Sequence, residues 1–148
     1  MSNINVNINQ SSVQTHITML QGIINRVSNN SANCKNWTIT IVVALFVMLE
    51  DNTTQIEEPL IYFMPISLFY ILDCYYLGIE RLCRESQKSF IHKVTTGEYY
   101  NILFTIPELS SLCKKISKTF FAMFSISTWP FYISISFFIL ILAGIIKI

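Results

Sequence analysis

The sequence predicts an all-α integral membrane protein. A long N-terminal amphipathic helix continues into the first of about three transmembrane helices, and the whole assembles as a homo-oligomeric helical bundle. Three observations predict this. Only 13% of the 148 residues are charged and 52% are hydrophobic, where a soluble domain carries about a quarter charged residues. Three apolar runs, 37–49, 60–79 and 119–146, stand clear of the rest. A stripe of apolar and small residues at alternating three- and four-residue spacings runs from Val13 into the first of those runs. The abundance of Ile, Asn, Ser, Lys and Phe fits an AT-rich, bacterial genome.

Residues 1–11 read as a disordered N-terminus. They lack the basic and apolar regions of a cleaved signal peptide, so the first span is expected to act as its own insertion signal. Residues 12–36 form a cytoplasmic amphipathic helix. Its stripe, Val13, Ile17, Leu20, Ile24 and Val27, is the expected self-association surface. The stripe turns small and polar at Ser31, Cys34 and Thr38, then apolar again at Ile41, Leu45 and Met48. The expected form is one continuous helix of about 37 residues, roughly 55 Å long. The competing form is an interfacial helix that breaks at the Asn- and Ser-rich stretch around residue 30 before the span starts. The lack of proline between Ser11 and Glu58 favours continuity, and the Asn and Ser run favours a break.

The first span, 37–49, is short against the roughly 20 residues needed to cross a bilayer. It crosses only if the preceding NSANCKN stretch is drawn in or the bilayer thins. Residues 50–59 form an outer loop with four acids and no Lys or Arg. The second span, 60–79, contains one carboxylate, Asp73. Residues 80–118 are a basic, helical cytoplasmic segment with a turn at Gly97. A helix start lies at Thr105–Glu108, with Thr105 as N-cap, Pro107 in the first turn and Glu108 closing a capping box. A segment of this size buries little core, so it is expected to dock on the rest of the chain or on sister subunits. The third span, 119–148, has a charge-free stretch from Thr119 to Ile146. It is long enough to cross with tilt, or to begin as an interfacial segment before Pro130, with Trp129 and Tyr132 near an interface.

Lys and Arg mark the cytoplasmic side. Arg81, Arg84, Lys88, Lys93, Lys114, Lys115 and Lys118 follow the second span, and Arg26 and Lys35 precede the first. The expected topology is N-terminus in, acidic loop out, basic segment in and C-terminus out, in the bacterial inner membrane. A re-entrant hairpin over 119–146 would instead leave the C-terminus inside.

No HExxH, GxSxG, glycine-rich phosphate loop or CxxC is present, so no enzyme activity and no cofactor is expected. His16 and His92 lack acidic partners at ligand spacing, and Cys34, Cys74, Cys83 and Cys113 suggest neither zinc nor a disulfide. The net charge of +1 argues against bulk nucleic-acid binding, and none is expected.

Asp73 is the central candidate. A carboxylate inside a span costs a few kcal/mol and normally faces a partner, the bundle interior or water. On a helix it shares a face with Leu77, Glu80 and Arg84. Lys35 is expected at similar depth on the first helix and is the foremost partner; Arg81 could snorkel towards it, and Tyr75 and Tyr76 offer hydroxyls. Asp73 then either fixes helix register or lines a hydrated vestibule that selects cations. The polar residues Asn30, Ser31, Asn33, Lys35 and Asn36 cluster where a pore mouth would lie, with Glu80, Arg81 and Arg84 as the inner-side charges.

The strings NSANCKNW (Asn30–Trp37) and LDCYYLGIER (Leu72–Arg81) resemble those of a group of small bacterial multi-span membrane proteins with NSAxCKxW and LDxYYLxxER motifs. The resemblance covers about the first 85 residues. More loosely, the layout is similar to the membrane effectors of anti-phage defence systems. That likeness implies an inner-membrane oligomer that breaches the bilayer when a partner signals infection; it carries over no functional residues.

Three functions fit. The first is a homo-oligomeric pore or ion channel, drawn here as a tetramer, that depolarises the membrane when a regulatory protein or signalling nucleotide arrives on the cytoplasmic side. The second is a non-conducting adaptor that recruits a partner through its basic segment. The third, a small transporter coupled through Asp73, lacks the internal repeat many transporters show.

Overall fold

The computed structural model describes residues 11–50, 60–97 and 112–146. They form four helices: α1 Ser11–Glu50, α2 Leu60–Thr96, α3 Leu112–Met123 and α4 Trp129–Ile146. Of the expected disordered residues 1–11, Ser11 already belongs to α1; residues 1–10, most of the acidic loop and the helix start at Thr105–Glu108 lie outside the described residues. Among the described residues no strand occurs.

α1 runs unbroken through the Asn- and Ser-rich stretch, the continuous alternative. Nothing there forces a break. No Gly or Pro interrupts 23–50. Ser31, which could compete with the backbone for hydrogen bonds, is engaged by Asp73 on the neighbouring helix. Thr38 donates to the Cys34 carbonyl at 2.7 Å, one turn back. α2 likewise continues past its expected inner end at residue 79, as far as Thr96. Pro65 in its second turn removes one backbone donor, and Ser67 Oγ donates to the carbonyls of Phe63 (2.8 Å) and Met64 (3.0 Å) there. The expected turn at Gly97 is present. Its φ is +82°, which glycine adopts without the cost a Cβ would impose.

α1 and α2 form an antiparallel hairpin in one steady register. Val13 packs on Phe90 and Val94 at one end, Ser31 and Lys35 meet Asp73 in the middle, and Val42 joins the cluster around Ile66 towards the other end. The self-association stripe needs correcting here. Val13, Leu20, Ile24 and Val27 are buried and Ile17 is partly so, within the chain's own helix packing. A heptad stripe requires an apolar partner, and α2 supplies it in cis. The docking expected of the segment after residue 80 is therefore intramolecular over 80–96.

α3 and α4 lie along α2. Lys118 pairs with Glu85, Thr119 sits against Gly78, the Met123 carbonyl meets Tyr70, and Tyr132 and Ile139 pack with Ile66. Position along α3–α4 advances as position along α2 falls, so the two helices run end to end, antiparallel to α2, and do not double back. The third expected span is thus two helices with a break at 124–128. It is neither one straight helix nor a re-entrant hairpin.

Candidate functional site

Asp73 lies 13 residues into α2 after Leu60, about 20 Å along the axis. It is fully buried. Ser31 and Lys35, one turn apart on α1, reach it from the same side. Ser31 Oγ donates to Oδ1. Lys35 Nζ stands 2.7 Å from Oδ2, and its side chain stays 21% exposed. That contact is ionic, without the angles of a hydrogen bond. From α4, Tyr132 stands beside Asp73 and Thr38 and donates its hydroxyl to the Phe69 carbonyl at 3.2 Å. Cys34, Thr38 and Cys74 complete a buried polar centre.

The expected partner, Lys35, is the one found. Ser31 and Lys35 come from NSANCKNW and Asp73 from LDCYYLGIER, so the two quoted strings meet in space. The other expected partners are elsewhere. Tyr75 and Tyr76 pack edge-on against each other, with ring centroids 5.8 Å apart. Arg81 donates to Ser125 Oγ at 2.8 Å. Glu80 holds Arg84 at 2.7 Å, one turn apart on α2.

The proposed pore-mouth cluster divides. Ser31, Lys35 and Asp73 turn inward to the helix packing. Asn33 and Asn36 are exposed on the other side of α1, and Asn30 is half-buried at the edge. Asp73 has no exposure within the subunit and is held by a cation and a hydroxyl.

A second set of contacts closes the α3–α4 break. The last carbonyls of a helix have no intrahelical donor. Here Tyr70 donates its hydroxyl to the Met123 carbonyl at 2.8 Å. Thr128 Oγ1 donates to the Ala122 carbonyl at 2.8 Å, and Ser125 N–H reaches the same carbonyl at 3.0 Å. Arg81 places a cation near the C-terminus of α3, where the helix dipole favours it. Gly78 lets α3 approach: a Cβ there would lie 2.9 Å from Thr119 N. Sequence reasoning missed Tyr70 and Thr128 because lone hydroxyls in apolar runs carry no periodic signal, and it placed Tyr132 near an interface, whereas Tyr132 is buried against α2. The available cue was the Ser-Thr-Trp-Pro string at 127–130, a helix N-terminus signature.

Among the described residues, no three His, Cys, Asp or Glu side chains come together to hold a metal ion. Two helices, α1 and α2, are long and apolar enough to cross a membrane. No family model matches the chain, and no curated protein and no solved structure is similar to it.

Proposed function

We propose that the chain is an inner-membrane protein that forms a homo-oligomeric pore or ion channel, the effector of a bacterial anti-phage system opened by a partner-made signal. The observation that carries the proposal is an uncharged polar side of α1, at membrane depth, that the chain's own helices leave uncovered. With Leu60 at the outer boundary, a hydrocarbon core of about 30 Å reaches to about residue 80 of α2. Arg81, Arg84 and Lys118 then fall at the inner headgroups. The register with α1 puts Asn33, Asn36 and Thr40 inside the core and Asn29 near its inner edge. All four are exposed. An amide without a partner in hydrocarbon costs about 2–7 kcal/mol, which an assembly around a polar axis removes. The subunit is too small to enclose a path alone.

Asp73 and Lys35 lie off that path and keep the hairpin in register. α4, at 18 residues or about 27 Å, starts near the level of Asp73 and more than covers the roughly 20 Å from there to the outer boundary. The remaining lengths of α1 and α2 extend as a two-helix stalk into the cytoplasm, where a regulatory protein or nucleotide would act.

The test is ion flux through purified protein in liposomes, together with membrane potential in expressing cells. Replacing Asn33 and Asn36 by Leu should reduce flux while the fold survives. An assembled wild-type protein that passes no ions at any applied potential, even with the products of its neighbouring genes present, would replace this reading with the non-conducting adaptor.

A further inference from the structure

The exposed side of α1 is a continuous ribbon: Gln14, Thr18, Gln21, Asn25, Asn29, Asn33, Asn36 and Thr40 follow one another at spacings of three and four. It lies diametrically opposite the buried Val13–Leu20–Val27 stripe. The ribbon carries no charge; Arg26 sits at its edge, and Lys35 is turned away to Asp73. No acid occurs in α1 before Glu50. We infer that this ribbon is the surface through which copies of the chain meet, with α1 innermost and α2 and α4 outside.

Three facts select a second copy as the occupant. Copies inserted with the same topology can be related only by rotation about the membrane normal, so each residue near the axis meets its own counterpart. Charged side chains would then repel. Amides suit that arrangement because each carries both a donor and an acceptor, and Asn facing Asn is a known device for fixing register between parallel helices. The ribbon is composed of such self-complementary groups. Gly22 and Ala32, both exposed along it, leave room for close helix approach, and no atom lies within 4 Å of a Cβ built on Gly22. Finally, the ribbon spans both the cytoplasmic and the membrane halves of α1, so one surface joins the copies along about 39 Å.

This inference deepens the oligomeric reading above and rests on it, but its test is independent of ion flow. Single cysteines replace Asn29, Asn36, Leu68 or Phe138, the last two exposed on α2 and α4, and membranes are treated with copper-phenanthroline, with wild type as the blank for Cys34, Cys74, Cys83 and Cys113. A disulfide needs Cα atoms within about 7 Å. Asn29→Cys and Asn36→Cys should give dimers, and Leu68→Cys and Phe138→Cys should not. In detergent, Asn29→Ala with Asn36→Ala should weaken association by about 3- to 30-fold per lost contact, and Asn36→Gln should largely retain it. Dimers formed from Leu68→Cys or Phe138→Cys alone, or monomers with no cross-link at any site, would overturn the inference. Cross-linking at Asn29 and Asn36 in a protein that passes no ions would remove the pore reading and leave this one standing. Ion flux from a protein linked only through α2 or α4 would do the reverse.

Discussion

Replacing Lys35 by methionine should be the most damaging single change in the polar centre. Asp73 is fully buried, and Lys35 Nζ at 2.7 Å is its only counter-charge among the described residues. Removing one partner of a buried pair costs about 3–5 kcal/mol, because Ser31 alone cannot compensate the carboxylate. The opposite change, Asp73→Asn, should cost about 1–2 kcal/mol. Asparagine still accepts from Ser31, and Lys35, with 21% of its side chain exposed, can turn its amine away from the buried site. The double variant leaves no buried charge and should recover about 1–3 kcal/mol relative to the sum of the singles. Reversible unfolding in mixed detergent micelles measures all three, with Ser89→Ala on α2 as an exposed control. If Lys35→Met destabilises no more than Asp73→Asn, or if the two effects simply add, the pair does not hold the hairpin and its assignment is wrong.

Other consequences concern the helix contacts. Gly78→Val should loosen α3 from α2 by about 1–3 kcal/mol, because a Cβ there lies 2.9 Å from Thr119 N, a backbone atom that cannot step aside; protease sensitivity after residue 97 reports it. Tyr70→Phe should free the Met123 carbonyl and cost about 1 kcal/mol, with faster amide exchange at residues 122–126 as the readout. His16 is buried against Phe90, with ring centroids 4.1 Å apart, and burial lowers its pKa below the ordinary 6.5. The folded chain therefore binds fewer protons at His16 than the unfolded chain. Its stability should be complete above pH 6.5 and decline as pH falls below that value. In His16→Leu, thermal melts between about pH 5 and pH 7 should lose that slope; an unchanged slope would locate the titrating group elsewhere.

The continuity of α1 stayed open in the amino-acid sequence, which by itself determined the helical class and the foremost partner of Asp73, Lys35. Both are local or one-dimensional matters. Charge scarcity and apolar run length specify helices of membrane-crossing size, and residues at matching distances from the same acidic loop must lie at matching depth in a hairpin. What covers the Val13–Val27 stripe was decided only by tertiary structure. A heptad pattern marks the side of a helix that needs an apolar partner, but that partner can be a second copy or another helix of the same chain. Here Phe90 and Val94 provide it, and the amide side of α1 is left facing outwards. The break at 124–128 was equally a tertiary matter. Residues 119–146 carry no charge and read as one run. A helix can end there because Tyr70 and Arg81, 53 and 44 residues before the partners they reach at Met123 and Ser125, join Thr128 in supplying the polar contacts its end requires.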